Sequence, residues 1–258
     1  MARRVSRRKE PSREKHMIKE QLKIEEGVFE NRTMMNLSRV FTHNIASRLL
    51  FLTAKGKEAD VYIAESGTRL DSDLVILKIF RIETSHFFKR DLYIKGDPRF
   101  EKIKLNQLSI VNTWCKKEYG NLKLAEIAGV RAPKPYYFSG NVLAMEFIGT
   151  DGVPAGTLKN AGTPNPKKTL EMVIDDMGRM YRNELVHADM SEYNILMKGD
   201  TPYIIDFGQA VVLGHPSAMR FLERDVGVIL QFFKKMYGID QDSREVLERI
   251  TGQQRTVD

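Results

Sequence analysis

His187-Ala188-Asp189-Met190-Ser191-Glu192-Tyr193-Asn194, followed one short hairpin later by Ile204-Ile205-Asp206-Phe207-Gly208, is the stretch that decides the fold. Its first part has the form H-x-D-x-x-x-x-N, and its second is an apolar strand that ends by presenting a carboxylate. Transfer of a γ-phosphoryl group needs a cation on the phosphates, a divalent metal with oxygen ligands, and a carboxylate beside the attacking hydroxyl. Asp189 is the candidate base, and Asn194 and Asp206 are the candidate metal ligands. Taken singly, the first segment is equally a capping turn and the second an Asp-x-Gly turn. Together and in this order they have the pattern of a catalytic loop and a metal-binding loop.

Upstream, Val75-Ile76-Leu77-Lys78 puts a lysine on an apolar strand, resembling the V-A-I-K pattern. A helix expected from Leu108 to near Gly129 carries Leu108, Val111, Cys115, Glu118, Leu122 and Ala125 at alternating spacings of three and four. Glu118 therefore falls inside an apolar stripe, where an unpaired carboxylate is costly, and Lys78 is the cation it requires. Strand-like runs at 49–53, 59–65 and 74–80 predict an antiparallel sheet, joined by 136–139 and 142–147. Between the first two lies Thr53-Ala54-Lys55-Gly56-Lys57-Glu58-Ala59-Asp60-Val61, which reads as a charged hairpin turn or a phosphate loop. Residues 82–107 keep no period and read as a long mobile loop. A Gly/Pro/Thr-rich stretch at 149–166 marks the passage to a second part. Helices are expected there at 167–184, 218–237 and 243–250, and short strands at 195–197 and 203–205.

Gly56-Lys57-Glu58-Ala59, Lys78, the segment from His187 to Leu196, and Ile205-Asp206-Phe207-Gly208-Gln209-Ala210 resemble the RIO family of atypical serine protein kinases over roughly residues 45–250. GKEA and IDFGQ are similar to its first branch, and the residues before the first strand are few for the winged helix of the other branch. The resemblance implies an α+β, bilobal protein-kinase-like fold: an antiparallel sheet with one main helix, then a reduced helical lobe. The implied division is a basic arm and helical extension at 1–44, an N-lobe at 45–148, and a C-lobe at 149–258.

It further implies Lys78, Asp189 and Asp206 as catalytic residues, and a nucleotide site drawn from Lys55, Gly56, Lys57, Glu58, Ala59, Val61, Ile76, Lys78, Glu118, Met145, Glu146, Phe147, Ile148, Ser191, Glu192 and Ile205. Within it, 145–148 form the hinge against the adenine. Ser191 stands where ordinary protein kinases carry lysine, and Ala54-Lys55 replaces the family's Ser-Thr. ATP and Mg²⁺, with Mn²⁺ as an alternative metal, are the implied cofactors. The implied partners are a small ribosomal subunit precursor and its rRNA, with autophosphorylation, for which Thr84, Ser85 and Ser109 are candidates, and a phosphorylated Asp206 as a further route.

The formal charge is +7, and residues 1–23 hold nine Lys/Arg against three Glu, so the surplus sits in one arm able to contact nucleic-acid phosphates. One cysteine excludes an internal disulfide and a multi-cysteine zinc site. No stretch approaches the roughly 18–20 apolar residues of a membrane span, and the N-terminus lacks a signal peptide's apolar core, so a cytoplasmic protein without membrane partners is expected. The 50 residues after Gly208 contain no A-P-E segment, so an ordinary peptide-substrate platform is not expected. Two other readings remain at this level: a small-molecule phosphotransferase of the aminoglycoside/choline-kinase type, and a nucleotide-binding assembly factor without turnover.

Overall fold

The computed structural model describes residues 30–82, 93, 96–100 and 106–252. Helix α1 (Asn31–Thr42) leads into strands β1 (Ala46–Lys55), β2 (Ala59–Ser66) and β3 (Leu74–Phe80). Helix α2 (Gln107–Ile127) follows, then β4 (Pro135–Ser139) and β5 (Val142–Glu146). The five strands form one antiparallel sheet in the order β1-β2-β3-β5-β4.

Alternation along β3 sorts its side chains between two cores. Val75, Leu77 and Ile79 pack under α1 with Leu37, Val40 and Phe41. Ile76 and Phe80 belong to the core on the other face, with Val111, Trp114, Cys115 and Leu122 of α2. Lys78 has the parity of that second face, which is the face of the cleft. Two asparagines fasten α1 to the sheet: Asn36 donates to Asn141 Oδ1 at 2.9 Å, and Asn141 donates to Thr33 Oγ1 at 2.8 Å and the Phe80 carbonyl at 2.7 Å.

After β5 the chain makes a small hairpin, β6 (Gly149–Thr150) with β7 (Val153–Pro154), then β8 (Gly156–Thr157) and the short α3 (Leu158–Ala161). Helix α4 (Pro166–Arg182), β9 (Leu185–Val186), β10 (Ile195–Lys198), β11 (Thr201–Ile204), β12 (Val211–Val212), α5 (Ala218–Tyr237) and α6 (Ser243–Thr251) complete the order. β8 pairs with β10, which pairs with β11, so the linker is stitched into the second lobe's sheet. The pair β9–β12 brackets the two loops of the opening motif. Leu170, Val173 and Met177 of α4 and Phe221, Ile229 and Phe233 of α5 fill the core beneath them.

The expected helices and strands are present, with β1 beginning at Ala46 and α4 ending at Arg182. α2 is buried on more sides than its apolar stripe implies: Lys117 and Asn121, off the stripe, are also fully buried. The arm at 1–23, Thr84, Ser85 and most of the loop at 82–107 lie outside the described residues. Within that loop Pro98–Phe100 form a 3₁₀ turn, and Asp97 is 0% exposed. Among the described residues no helix is long and apolar enough to cross a membrane.

Candidate active site

A cavity of about 790 Å³ lies between the sheet and the helical part. Lys55, Gly56, Lys57, Glu58, Ala59 and Val61 line it from the β1–β2 turn, Ile76 and Lys78 from β3, and Glu118 from α2. Met145, Glu146, Phe147 and Ile148 line it from the end of β5, and Asn194, Ile205, Asp206 and Gln209 from the loops of the second part. Ser191 and Glu192 stand outside the lining; the Ser191 carbonyl accepts from the Asn194 N–H at 3.0 Å and that of Glu192 from the Lys159 N–H at 3.1 Å.

The β1–β2 turn is tight because the Gly56 N–H donates to the Ala59 carbonyl at 2.9 Å, and a Cβ on Gly56 would come within 2.8 Å of that same oxygen. At the other end, Lys134 takes up both the N–H of Glu146 (2.8 Å) and its carboxylate (3.1 Å), while the Ile148 carbonyl accepts from Ala155 at 3.0 Å.

Lys78 Nζ donates to both carboxylate oxygens of Glu118, at 2.7 and 2.8 Å, and to Asp206 Oδ1 at 3.0 Å. The two residues that each needed a partner have therefore found each other. Burial works against the Lys78 ammonium, but the Asp206 and Glu118 carboxylates outweigh it and hold its pKa above the ordinary value. The cleft strips some water from the half-exposed Asp206 carboxylate, and Lys78 outweighs this to keep its pKa below the usual range. Glu118 is pushed up to about 7 by burial, against the pull of Lys78.

Asp189 is held differently. Gln209 Nε2 donates to its Oδ2 at 3.0 Å, and Asn194 Nδ2 donates to the same oxygen at 3.2 Å and to the Asp189 carbonyl at 2.8 Å. Burial, and then the charge of Asp206, push the Asp189 carboxyl up to about 6. The loop that carries it is fixed from below by Asp225 of α5, which accepts from the N–H groups of Ala188 (2.7 Å) and Met190 (3.3 Å), while Arg224 donates to the Ala188 carbonyl. His187 is fully enclosed, bonds the Ile205 carbonyl through Nε2 at 3.0 Å, and meets the Phe207 ring edge-on. It ties the two motif segments together as a neutral ring, since burial lowers its pKa to about 4.

The RIO domain family matches residues 60–246. The chain belongs to the RIO family. It is 36% identical over 253 residues to the RIO-type serine/threonine-protein kinase Rio1 of Haloferax volcanii, covering 96% of this chain and 86% of that one. The Rio1 of Thermoplasma acidophilum is 44% identical over 190 residues, 74% of this chain and 98% of its own length. The human serine/threonine-protein kinase RIO1 is 36% identical over 231 residues, 88% of this chain and 40% of its own length. Among solved structures, the Rio2 kinase of Chaetomium thermophilum, in an ADP/Mg²⁺-phosphoaspartate complex, superposes with a TM-score of 0.66 at 21% identity, covering 87% of this chain and 68% of that one. That likeness establishes the bilobal kinase-like α+β fold, and the family establishes a RIO-type serine/threonine-protein kinase.

Several working residues were not found by reading the sequence. Asp225 acts through backbone N–H groups 35 and 37 residues away, a distance over which no periodicity signals contact. Gln209 stands in the sequence as part of the family-like IDFGQ segment, which carries no sign of its bond to Asp189. Lys117 and Asn121 bind carbonyls beyond Asp206; the available signal was two polar residues spaced i, i+4 on a helix that also buries Glu118.

Proposed function

We propose that this RIO-family kinase transfers the γ-phosphoryl group of ATP with Mg²⁺, to serine hydroxyls or to water, and acts in the cytoplasm in maturation of the small ribosomal subunit. The observation that carries the catalytic reading is the convergence of Lys78, Glu118, Asp206, Asn194 and, through Gln209, Asp189 on one cavity. Lys78, oriented by Glu118, contacts the phosphates. Asp189 accepts the proton of the attacking hydroxyl through the oxygen not occupied by the two amides. The adenine edge meets the hinge at the Glu146 carbonyl and the Ile148 N–H, the groups that Lys134 and Ala155 leave available.

The residues fit a magnesium ion. Asp206 offers a carboxylate whose side chain is 48% exposed, and Asn194, with its amide nitrogen spent on Asp189, offers its carbonyl oxygen. Hard oxygen donors of this kind, few in number, suit Mg²⁺ completed by water and phosphate oxygens. When bound, the ion neutralises charge on the phosphates. Incubation with labelled ATP and Mg²⁺, with and without small ribosomal subunits, tests the reading through phosphate release and protein labelling. Absence of both would overturn it.

A covalent route is supported by the exposure of Asp206 and by the Rio2 relative having been solved with a phosphoaspartate. An Asp206 oxygen attacks the γ-phosphorus, the bond to ADP breaks, and water then cleaves the acyl-phosphate to inorganic phosphate. Hydroxylamine removes an acyl-phosphate and leaves phosphoserine, so labelling that fully survives it rules out this route. Binding to ribosomal RNA is proposed for the basic arm at 1–23. Its deletion should flatten the salt dependence of RNA binding and leave turnover without RNA unchanged.

A further inference from the structure

Two non-glycine residues of the site's loops have left-handed backbone, Ala188 at a φ of +61° and Asp206 at +64°. A non-glycine residue in the left-handed region costs of order 1–3 kcal/mol and persists only where its surroundings fix it. For Asp206 the segment that follows provides the fixing. Asn121 Nδ2 donates to the carbonyls of Phe207 and Ala210, both at 2.8 Å. Lys117 Nζ donates to the carbonyl of Gly208 at 3.0 Å and also to that of Ala210. Two side chains one helical turn apart on α2 thus hold three of the four carbonyls that follow Asp206, those of Phe207, Gly208 and Ala210.

An asparagine amide has nearly the same shape either way round, so which end faces those carbonyls depends on what meets the other end. Here Arg99 Nη2 donates to Asn121 Oδ1 at 2.9 Å, which commits the oxygen away from the carbonyls and the nitrogen toward them. Arg99 is itself held by Asp97, with Nε on Oδ1 at 2.9 Å and Nη2 on Oδ2 at 2.6 Å. Asp97 is fully buried, which requires such a partner.

The turn is seated from both sides. A Cβ on Gly96 would run into the His215 ring, and Tyr93 stacks on Phe221 at 5.3 Å. Tyr93 also meets the edge of Trp114 at 6.4 Å, and Trp114 in turn covers Gly208, where a Cβ would lie 2.8 Å from the indole nitrogen.

We infer that Asp97 and Arg99 are positioning residues for Asp206, acting through the Asn121 amide on the carbonyls of Phe207 and Ala210. This rests on the reading of Asp206 as a magnesium ligand. Without the strap the Asn121 amide can turn over, the Phe207 carbonyl loses its donor and that of Ala210 keeps only Lys117, and Asp206 relaxes from its left-handed conformation.

Two variants test this while keeping the charges of the Asp97–Arg99 pair balanced. Arg99→Lys keeps a cation on Asp97 but lacks the forked arm that reaches Asn121. D97N/R99Q removes both charges together. Trp114 is the only tryptophan of the chain, so its quenching by acrylamide in the ligand-free protein reports the seat of the strap. Its emission during Mg²⁺ titration in the presence of ADP gives metal affinity.

The expected result is weaker metal binding by about tenfold in the double variant, the usual range for partners of metal ligands being roughly 10–100-fold. Arg99→Lys should show a smaller loss, and Trp114 should be more readily quenched in both. Wild-type metal affinity in both variants would overturn the inference, whatever the quenching. Asp206→Asn serves as the reference: if it too binds metal like wild type, the metal reading of Asp206 has failed, whereas its loss beside normal strap variants condemns the strap alone. If D97N/R99Q does not fold, the metal affinity of Arg99→Lys decides alone.

Discussion

On one wall of the cleft a single ammonium, Lys78, is shared by Glu118 and Asp206, whereas on the other Asp189 is held by the neutral amides of Asn194 and Gln209. The first arrangement keeps Asp206 below the usual carboxylate range, ionised at any working pH and suited to a cation. The second fixes a carboxylate in place while burial and Asp206 push it up to about 6. A base is most useful when its pKa lies near the operating pH, so neutral donors leave basicity that a cation would have removed. Charge pairing and amide pairing position the same functional group for different work.

The strongest way to break this comparison is Asp189→Asn. Removal of the base is expected to slow transfer by about 10²–10⁴-fold with nucleotide affinity little changed, measured by steady-state turnover beside ADP binding. A loss below tenfold would show that the amide-held carboxylate is not the base. Next in size is the charged wall. Lys78→Ala and Glu118→Ala should each reduce turnover strongly, and the double variant should be little worse than the poorer single. The coupling should lie within about 0.5–3 kcal/mol in a double-mutant cycle. Additive losses would mean that the ion pair does not act as a unit.

Gln209→Leu sharpens the other wall. It removes one donor to an ionised oxygen, worth about 1.5–3 kcal/mol, so a fall in turnover of roughly tenfold or more is expected. The smallest effect concerns pH. Protonated Asp189 cannot accept a proton, so kcat/KM should fall as pH drops through about 6. Arg224 lowers this pKa, and Arg224→Gln should therefore move the acid limb to higher pH. A limb that stays in place would assign it to another group.

What could be read from the sequence follows the range over which each signal acts. The apolar run around Lys78 and the three-and-four spacing of α2 are local, and together with the V-A-I-K resemblance they predict the pairing of Lys78 with Glu118 forty residues apart. The β9–β12 pair is only two residues long on each strand, too short for any period to register. Lys117, Asn121 and Asp225 were not legible in their roles because their partners are backbone groups, which carry no residue-type signature. The loop at 82–107 lacks periodicity, yet its Asp97–Arg99 turn is seated by side-chain bonds that only the tertiary arrangement supplies.

Cys115, sealed in the core three residues before Glu118, has its thiol pushed well up by burial, so the reactive thiolate is scarce and unreachable while α2 stays docked. As the chain's only cysteine, it makes alkylation a clock for the back of the cleft. The labelling half-life measures how often α2 swings free of the sheet, and any nucleotide that tightens the Lys78–Glu118 contact lengthens it.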